Sequence, residues 1–216
     1  AGEIASVITH ELKTPVSSIS GALEIIEKEV DIPEDKEKFM NIMKNETNRI
    51  NDIVTSNFSM LKKGRMKRSE LNFKKFVQEI EELLSFLDTG NRRISVENNS
   101  NAENVFWDGD LIKELVINLI NNAISVTDER GEIRISFSRR GKSLILAVRD
   151  NGPGMDKKTK RKIFKPFFSD SSSGLGLGLP IVKRIVELHG GKIRCETEVG
   201  KGSEFIIEMP IEEKNE

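Results

Sequence analysis

Two runs of apolar residues spaced three and four apart occupy the first part of the chain, and each has only one face to bury. With a helical step of about 100° per residue, Ile4, Ile8, Leu12, Pro15, Ile19, Leu23, Ile26 and Val30 share one narrow stripe. This predicts a helix over Gly2 to Val30. Asp31-Ile32-Pro33 breaks it, and a second helical pattern from Glu34 carries Phe39, Ile42, Met43, Ile50, Ile53, Val54, Phe58 and Leu61. Two such helices joined by a short turn form a hairpin. A lone hairpin buries little of either stripe, whereas two copies paired into a four-helix bundle bury both, so a homodimer is expected.

The pattern then changes. Lys62-Lys63-Gly64-Arg65-Met66-Lys67-Arg68 has no apolar period and reads as a solvated basic connector. From Ser69 onward short alternating strands and helices follow one another. Strands are expected at Ser69–Asn72, Arg92–Glu97, Asn104–Trp107, Lys192–Glu198 and Glu204–Met209. Gly131–Ser138 and Lys142–Arg149 should form a hairpin, and helices are expected at Phe73–Leu87, Asp110–Ala123 and Pro180–His189. The chain therefore divides into a helical hairpin, 1–63, a linker, 64–68, and an α+β sandwich, 69–216, with one antiparallel sheet and helices on one face.

Charge and cysteine usage exclude several classes of function. A net charge of −1 over 216 residues gives no electrostatic basis for nucleic-acid binding. The single cysteine, Cys195, makes no internal disulfide and fits a reducing compartment. No apolar run approaches the roughly 20 residues that span a bilayer, so a cytoplasmic location is expected. The helical pattern is already under way at the first residues. A preceding segment, a sensor or membrane part, is expected to continue the first helix.

Five short stretches carry the chemistry. In His10-Glu11-Leu12-Lys13-Thr14-Pro15, His10 is two residues from both Ile8 and Leu12 and so points away from the stripe. Most lone histidines are surface or capping residues. Here Glu11 follows directly, Thr14 lies one turn beyond on nearly the same face, and Pro15 frees the Glu11 carbonyl and bends the helix. Asn118 and Asn122 stand four apart inside an apolar helical run. Buried amides need partners, and their carbonyl oxygens suit Mg²⁺, although backbone bonds alone could satisfy them. Asp150-Asn151-Gly152-Pro153-Gly154 ends an apolar strand with a carboxylate able to accept from an adenine amino group, beside glycines that let the backbone approach. Lys157 to Ser173 reads as a lid, in which Lys162 offers charge to phosphates and Phe164 packs the aromatic segment. Gly174, Gly176, Leu177, Gly178 and Leu179 lead into a helix whose N-terminal amides form a phosphate cradle.

The first stretch resembles the H-box of sensor histidine kinases. The other four, in this order, resemble the N, G1, F and G2 boxes of the histidine-kinase ATP-binding domain, of the superfamily shared with gyrase, Hsp90 and MutL. The resemblance covers essentially the whole chain. It implies that Mg·ATP binds with Asn122 and Asn118 at the metal, Asp150 at adenine and Gly176 to Leu179 at the phosphates. It also implies transfer of the γ-phosphoryl group to His10 and then to an aspartate of a response-regulator receiver domain. Thr14 stands where the family places a residue for dephosphorylating the regulator. Ser125 replaces a lysine frequent in the family, so its phosphate contact is missing or supplied by Lys113 or the lid. Two rival readings remain: an ATPase or serine kinase on the same nucleotide fold, and a scaffold in which ATP only sets conformation. His189-Gly190-Gly191 reads as a helix C-cap with cationic character, and Trp107 and Cys195 as packing residues.

Overall fold

The computed structural model describes residues 17–26, 36, 39–44, 47, 66–87, 89–169 and 176–211. The chain forms two compact units, one of Ala1–Gly64 with Ser169–Leu177, the other of Arg65–Phe168 with Gly178–Glu216. In the first, residues 17–26 and 39–44 are helical. Leu23 and Met40 are buried, but Ile19 is 51% exposed, Phe39 64% and Ile42 48%, so most of the described stripe is uncovered in a single chain. His10, Glu11, Thr14 and the break at 31–33 lie outside the described residues.

The second unit contains strands β1 (Ser69–Asn72), β2 (Arg93–Asn99), β3 (Asn104–Trp107), β4 (Glu132–Arg140), β5 (Ser143–Asp150), β6 (Lys192–Thr197) and β7 (Ser203–Pro210). Its helices are α1 (Phe73–Ser85), α2 (Gly109–Val126), α3 (Lys157–Lys160) and α4 (Gly178–Leu188). Five strands form one sheet in the order β2-β4-β5-β7-β6, while β1 and β3 pair separately. The sequence predicts a single antiparallel sheet, and the structure corrects this in two places. First, β2 runs parallel to β4. The segment between them contains α2, and a crossover of that length returns a strand parallel to its neighbour. Second, β3 leads directly into α2 and cannot also extend the main sheet, so it closes on β1.

Strand alternation makes the core. Ile133, Ile135 and Phe137 of β4, Leu144, Leu146 and Val148 of β5, and Phe205, Ile207 and Met209 of β7 are all buried. Cross-strand register aligns Phe137 with Leu146 and Ile207, and Ile135 with Val148 and Phe205. α1 buries Phe73, Phe76, Val77, Ile80 and Leu84. The Phe73 ring meets Trp107 edge-on at 6.0 Å and Phe137 at 5.4 Å, joining helix, small sheet and main sheet. Trp107 satisfies its indole N–H on the Pro210 carbonyl at 3.0 Å, and Cys195 is a buried thiol that burial pushes up to about 11. Both pack the interior, as their residue types suggest.

Helix ends account for the remaining differences. Asp108 caps α2 by accepting the Leu111 N–H at 3.3 Å, so the helix starts earlier than its apolar period indicates. α4 ends in a Schellman turn: Gly190 has φ 71, its N–H donates to the Glu187 carbonyl at 3.1 Å, and the Gly191 N–H donates to the Val186 carbonyl at 2.9 Å. His189 is not the cationic cap expected. It is 1% exposed, its Nε2 accepts the Asp108 N–H at 3.1 Å and its Nδ1 lies 2.8 Å from the Ile185 carbonyl. Acceptance at Nε2 requires a neutral ring. Nor are Lys67 and Arg68 a free connector: the Lys67 N–H donates to Asp108 Oδ2 at 2.8 Å, and the Arg68 guanidinium to the Leu188 carbonyl at 3.2 Å.

Because Phe73 joins three elements, Phe73→Ala should lower the free energy of unfolding by about 3–5 kcal/mol. A urea titration should show the midpoint falling with an unchanged slope; an unmoved midpoint would mean the ring contacts carry no stability.

Candidate functional site

The alternation that builds the core also places Asp150. In β5 it follows Leu144, Leu146 and Val148 on the inner face, opposite Ile133 of β4 and Ser203 of β7. The result is a carboxylate only 3% exposed at the end of an apolar row. Its Oδ1 accepts the N–H of Gly152 at 2.9 Å and of Ser203 at 3.2 Å. Among the described residues no donor reaches Oδ2, which leaves it for a donor brought from outside. Burial holds the Asp150 carboxyl above the usual carboxylate range, and the two backbone donors oppose that rise.

The loop after β5 closes on the β6–β7 turn. Gly154 has φ 66, and a Cβ there would collide with the Glu198 carbonyl oxygen; Gly202 has φ 83, and a Cβ there would strike the Asp150 carbonyl oxygen. Thr197 fastens this join, its hydroxyl accepting the Met155 N–H at 2.9 Å and donating to the Gly202 carbonyl at 3.0 Å. Thr197, Gly202 and Ser203 are absent from the residues singled out in the sequence. The visible signal was Gly200-Lys201-Gly202, which reads equally well as an ordinary turn. The Val126 carbonyl at the end of α2 also faces Gly152, 2.8 Å from where a Cβ would stand.

On α2 the amide of Asn118 is oriented by its own helix: Nδ2 donates to the Glu114 carbonyl at 2.8 Å. Its Oδ1 then faces the first residue of α4, 3.1 Å from the position of a Cβ on Gly178. A side chain there would crowd that oxygen. Asn122 is half-buried one turn later. Lys113 does not join this group, because five residues rotate it about 140° from Asn118 and Glu79 of α1 holds its ammonium at 2.7 Å. The hydrogen bond from Lys113 in turn lowers the Glu79 pKa. Ser125 bonds back to the Asn122 carbonyl at 2.7 Å and presents no cation.

Two carbonyl oxygens from asparagines suit a hard cation, but among the described residues no group of three or more acidic, cysteine or histidine side chains could hold a metal. The donor set fits a Mg²⁺ ion whose remaining ligands are phosphate and water. In the segment after Gly154, α3 is capped by Asp156, which accepts the Thr159 N–H at 2.7 Å, and Ile163, just past its end, is buried. Phe164 is half-buried, and the Lys162 ammonium lies 5.7 Å above the Phe168 ring. Gly174 lies outside the described residues. Gly176 has φ 65, Leu177 is buried, and Gly178 and Leu179 open α4.

Comparison with known proteins bears on the same elements. Residues 107–213 match the family "Histidine kinase-, DNA gyrase B-, and HSP90-like ATPase", and residues 1–64 match the "His Kinase A (phospho-acceptor) domain". The crystallised catalytic domain of histidine kinase ThkA is 34% identical over 68% of this chain and 97% of that domain, with a TM-score of 0.61. The chain belongs to the histidine kinase family. Its second unit is accordingly the α+β ATPase fold of that family, and the match at residues 1–64 adds the phosphoacceptor domain. ThkA in complex with the response regulator protein TrrA is 31% identical, with a TM-score of 0.70 over 98% of this chain and 62% of that one. Sporulation kinase C of Bacillus subtilis (strain 168) is 32% identical over 217 aligned residues, covering 97% of this chain and 49% of that kinase. The chain thus spans about half the length of this curated relative.

The raised pKa of Asp150 has a measurable consequence. Between the ordinary carboxylate pKa and the raised folded value the native state holds a proton that the unfolded chain has lost, so stability falls as pH rises through that window. Asp150→Asn should abolish this fall and leave the nucleotide-free protein more stable at neutral pH. The same variant should bind ADP about one to two decades more weakly, the cost of a buried charge-assisted hydrogen bond of roughly 1.5–3 kcal/mol. Thermal melts and calorimetry check both signs; tighter or unchanged ADP binding would remove Asp150 from the site.

Proposed function

We propose that this chain is the catalytic core of a sensor histidine kinase, in which residues 1–63 are a dimerising phosphoacceptor hairpin, 64–68 a connector and 69–216 the ATP-binding domain. One observation carries the nucleotide part: a buried Asp150 whose Oδ1 is held by backbone N–H groups while Oδ2 remains for an outside donor. The amino group of adenine is such a donor. Gly152 and Gly154 give the base room, Asn118 and Asn122 face the phosphates and their Mg²⁺, and Gly178 and Leu179 meet the phosphates at the N-terminus of α4. Lys162 and Phe164 belong to the lid over the nucleotide. When bound, Mg²⁺ would neutralise phosphate charge.

His10 is the acceptor in this reading. A lone pair on its neutral ring attacks the γ-phosphorus, the N–P bond forms as the bond to the β–γ bridging oxygen breaks, and ADP leaves. Glu11 takes up the proton of the other ring nitrogen. The chain has two histidines, and the other, His189, is buried with both ring nitrogens facing backbone partners. The phosphoryl group then passes to a receiver-domain aspartate of a response regulator, in line with the regulator complex of ThkA. The uncovered stripe at Ile19, Phe39 and Ile42 supports a second copy as the partner of the hairpin. We place the chain in the cytoplasm, as part of a longer sensor.

Incubation with γ-labelled ATP tests the reaction. Label should be stable to alkali, lost in acid and absent from His10→Gln, which still binds ADP. Acid-stable label would mark a serine kinase, and no label at all would leave only a nucleotide-binding scaffold. Thr14, one turn from His10, is proposed to hold a water in line with the regulator's acyl phosphate. Thr14→Ala should label His10 at a near-normal rate but dephosphorylate the regulator at least tenfold more slowly; a parallel loss of both activities would make Thr14 a structural residue.

A further inference from the structure

The C-terminal end of α2 packs on Gly152, the residue whose N–H holds Asp150, and something must keep that end from moving. Helix termini leave carbonyls without intrahelical partners and tend to fray. At this terminus Thr127 is buried and its hydroxyl bonds back to the Ala123 carbonyl at 2.8 Å, but its own carbonyl points away from the helix. Arg92, the residue before β2, meets it there. The guanidinium Nη2 donates to the Thr127 carbonyl at 2.8 Å, Nε donates to the same oxygen at 3.3 Å and to the Thr127 hydroxyl at 3.1 Å, and Nη1 donates to the Thr89 carbonyl at 3.3 Å. Three of these bonds fall on one residue, in the fork geometry that only arginine offers. A cation at this end also complements the negative pole of α2.

Thr127 is one peptide from Val126, whose carbonyl faces Gly152, whose N–H holds Oδ1 of Asp150. The other wall is fixed separately. Asn151 Oδ1 accepts the Glu132 N–H at 2.8 Å and its N–H donates to the Glu132 carbonyl at 3.2 Å, tying the loop to the start of β4. The Arg93 N–H also donates to the Gly131 carbonyl at 2.9 Å, so Arg92 is anchored to the same corner from its own backbone.

We infer that Arg92 is a positioning residue for the nucleotide site: by clamping Thr127 it sets the distance between the end of α2 and the Asp150–Gly154 loop, and so the selectivity of the slot for adenine. The inference rests on the adenine reading of Asp150. Arg92 touches no substrate atom; it acts through the Thr127 and Val126 carbonyls. Without the clamp the end of α2 frays, Gly152 loses the surface it packs on, and the carboxylate is no longer held at one depth. Asn118 and Asn122 lie nine and five residues back along α2 from Thr127, about 2.5 and 1.4 turns, inside the hydrogen-bonded part of the helix, and keep their geometry.

The test compares ADP with inosine diphosphate, which carries an oxo group where adenine has its amino donor, by calorimetry on the full chain. The unaltered protein should prefer ADP. In Arg92→Ala, ADP binding should weaken about tenfold while inosine diphosphate binding changes little, so the preference shrinks by a similar factor. The KM for ATP in His10 labelling should rise with the rate at saturating ATP retained. Arg92→Lys, which keeps the cation without the fork, should fall between the two and also serves if Arg92→Ala does not fold. Equal weakening of both diphosphates would reduce Arg92 to a general stabiliser and overturn the inference, as would an unchanged ratio. An unaltered protein that binds both diphosphates alike would sink the adenine reading along with it, whereas a clear preference untouched by either variant would sink the inference alone.

Discussion

Everything around the site follows from burying one carboxylate at the end of an apolar row. A charge there is costly unless donors meet it, and the chain supplies two backbone N–H groups to one oxygen. The glycines at 154 and 202 exist to let those backbones come close enough; any Cβ would hold the loop and turn apart. The cost is only partly offset, which is why the carboxyl stays above its ordinary range. A group kept in that condition is stabilised further by a ligand that brings a donor, so affinity and residual strain have the same origin.

Helix α2 joins this carboxylate to the rest of the domain. Its apolar side fills the core with Ile112, Leu115, Val116, Leu119 and Ile120, while Asn118 breaks the apolar run on the flank that meets α4. Both ends are held by residues distant in sequence. Asp108 caps the first turn and also receives Lys67, while its own N–H is taken by neutral His189. Arg92 holds the last turn. The helix is thereby fixed to the chain entering the domain at one end and to the start of β2 at the other, where its last carbonyl also faces Gly152.

The first unit poses the opposite problem. Its described helices carry large apolar side chains that are mostly exposed in one chain. Hydrophobic area left in water on that scale marks an interface, and the dimeric bundle proposed above would cover it.

How much of this could be read from the amino-acid sequence depended on the range of the interactions. Local rules sufficed for α1 and α4 and for the β4–β5 hairpin, because apolar period and turn residues act within a few positions. They also sufficed to single out Asp150, Gly152, Gly154, Asn118 and Gly178, whose residue types are unusual beside an apolar strand or helix. The parallel pairing of β2, the separate β1–β3 pair, the neutral His189, the engagement of Lys113 by Glu79 and the roles of Gly202, Ser203 and Arg92 were decided only by tertiary structure. Each depends on a partner far away along the chain: Asp108 for His189, Thr127 for Arg92, Asp150 for Ser203. A sequence states which groups need a partner; only the packed fold determines which partner each one gets.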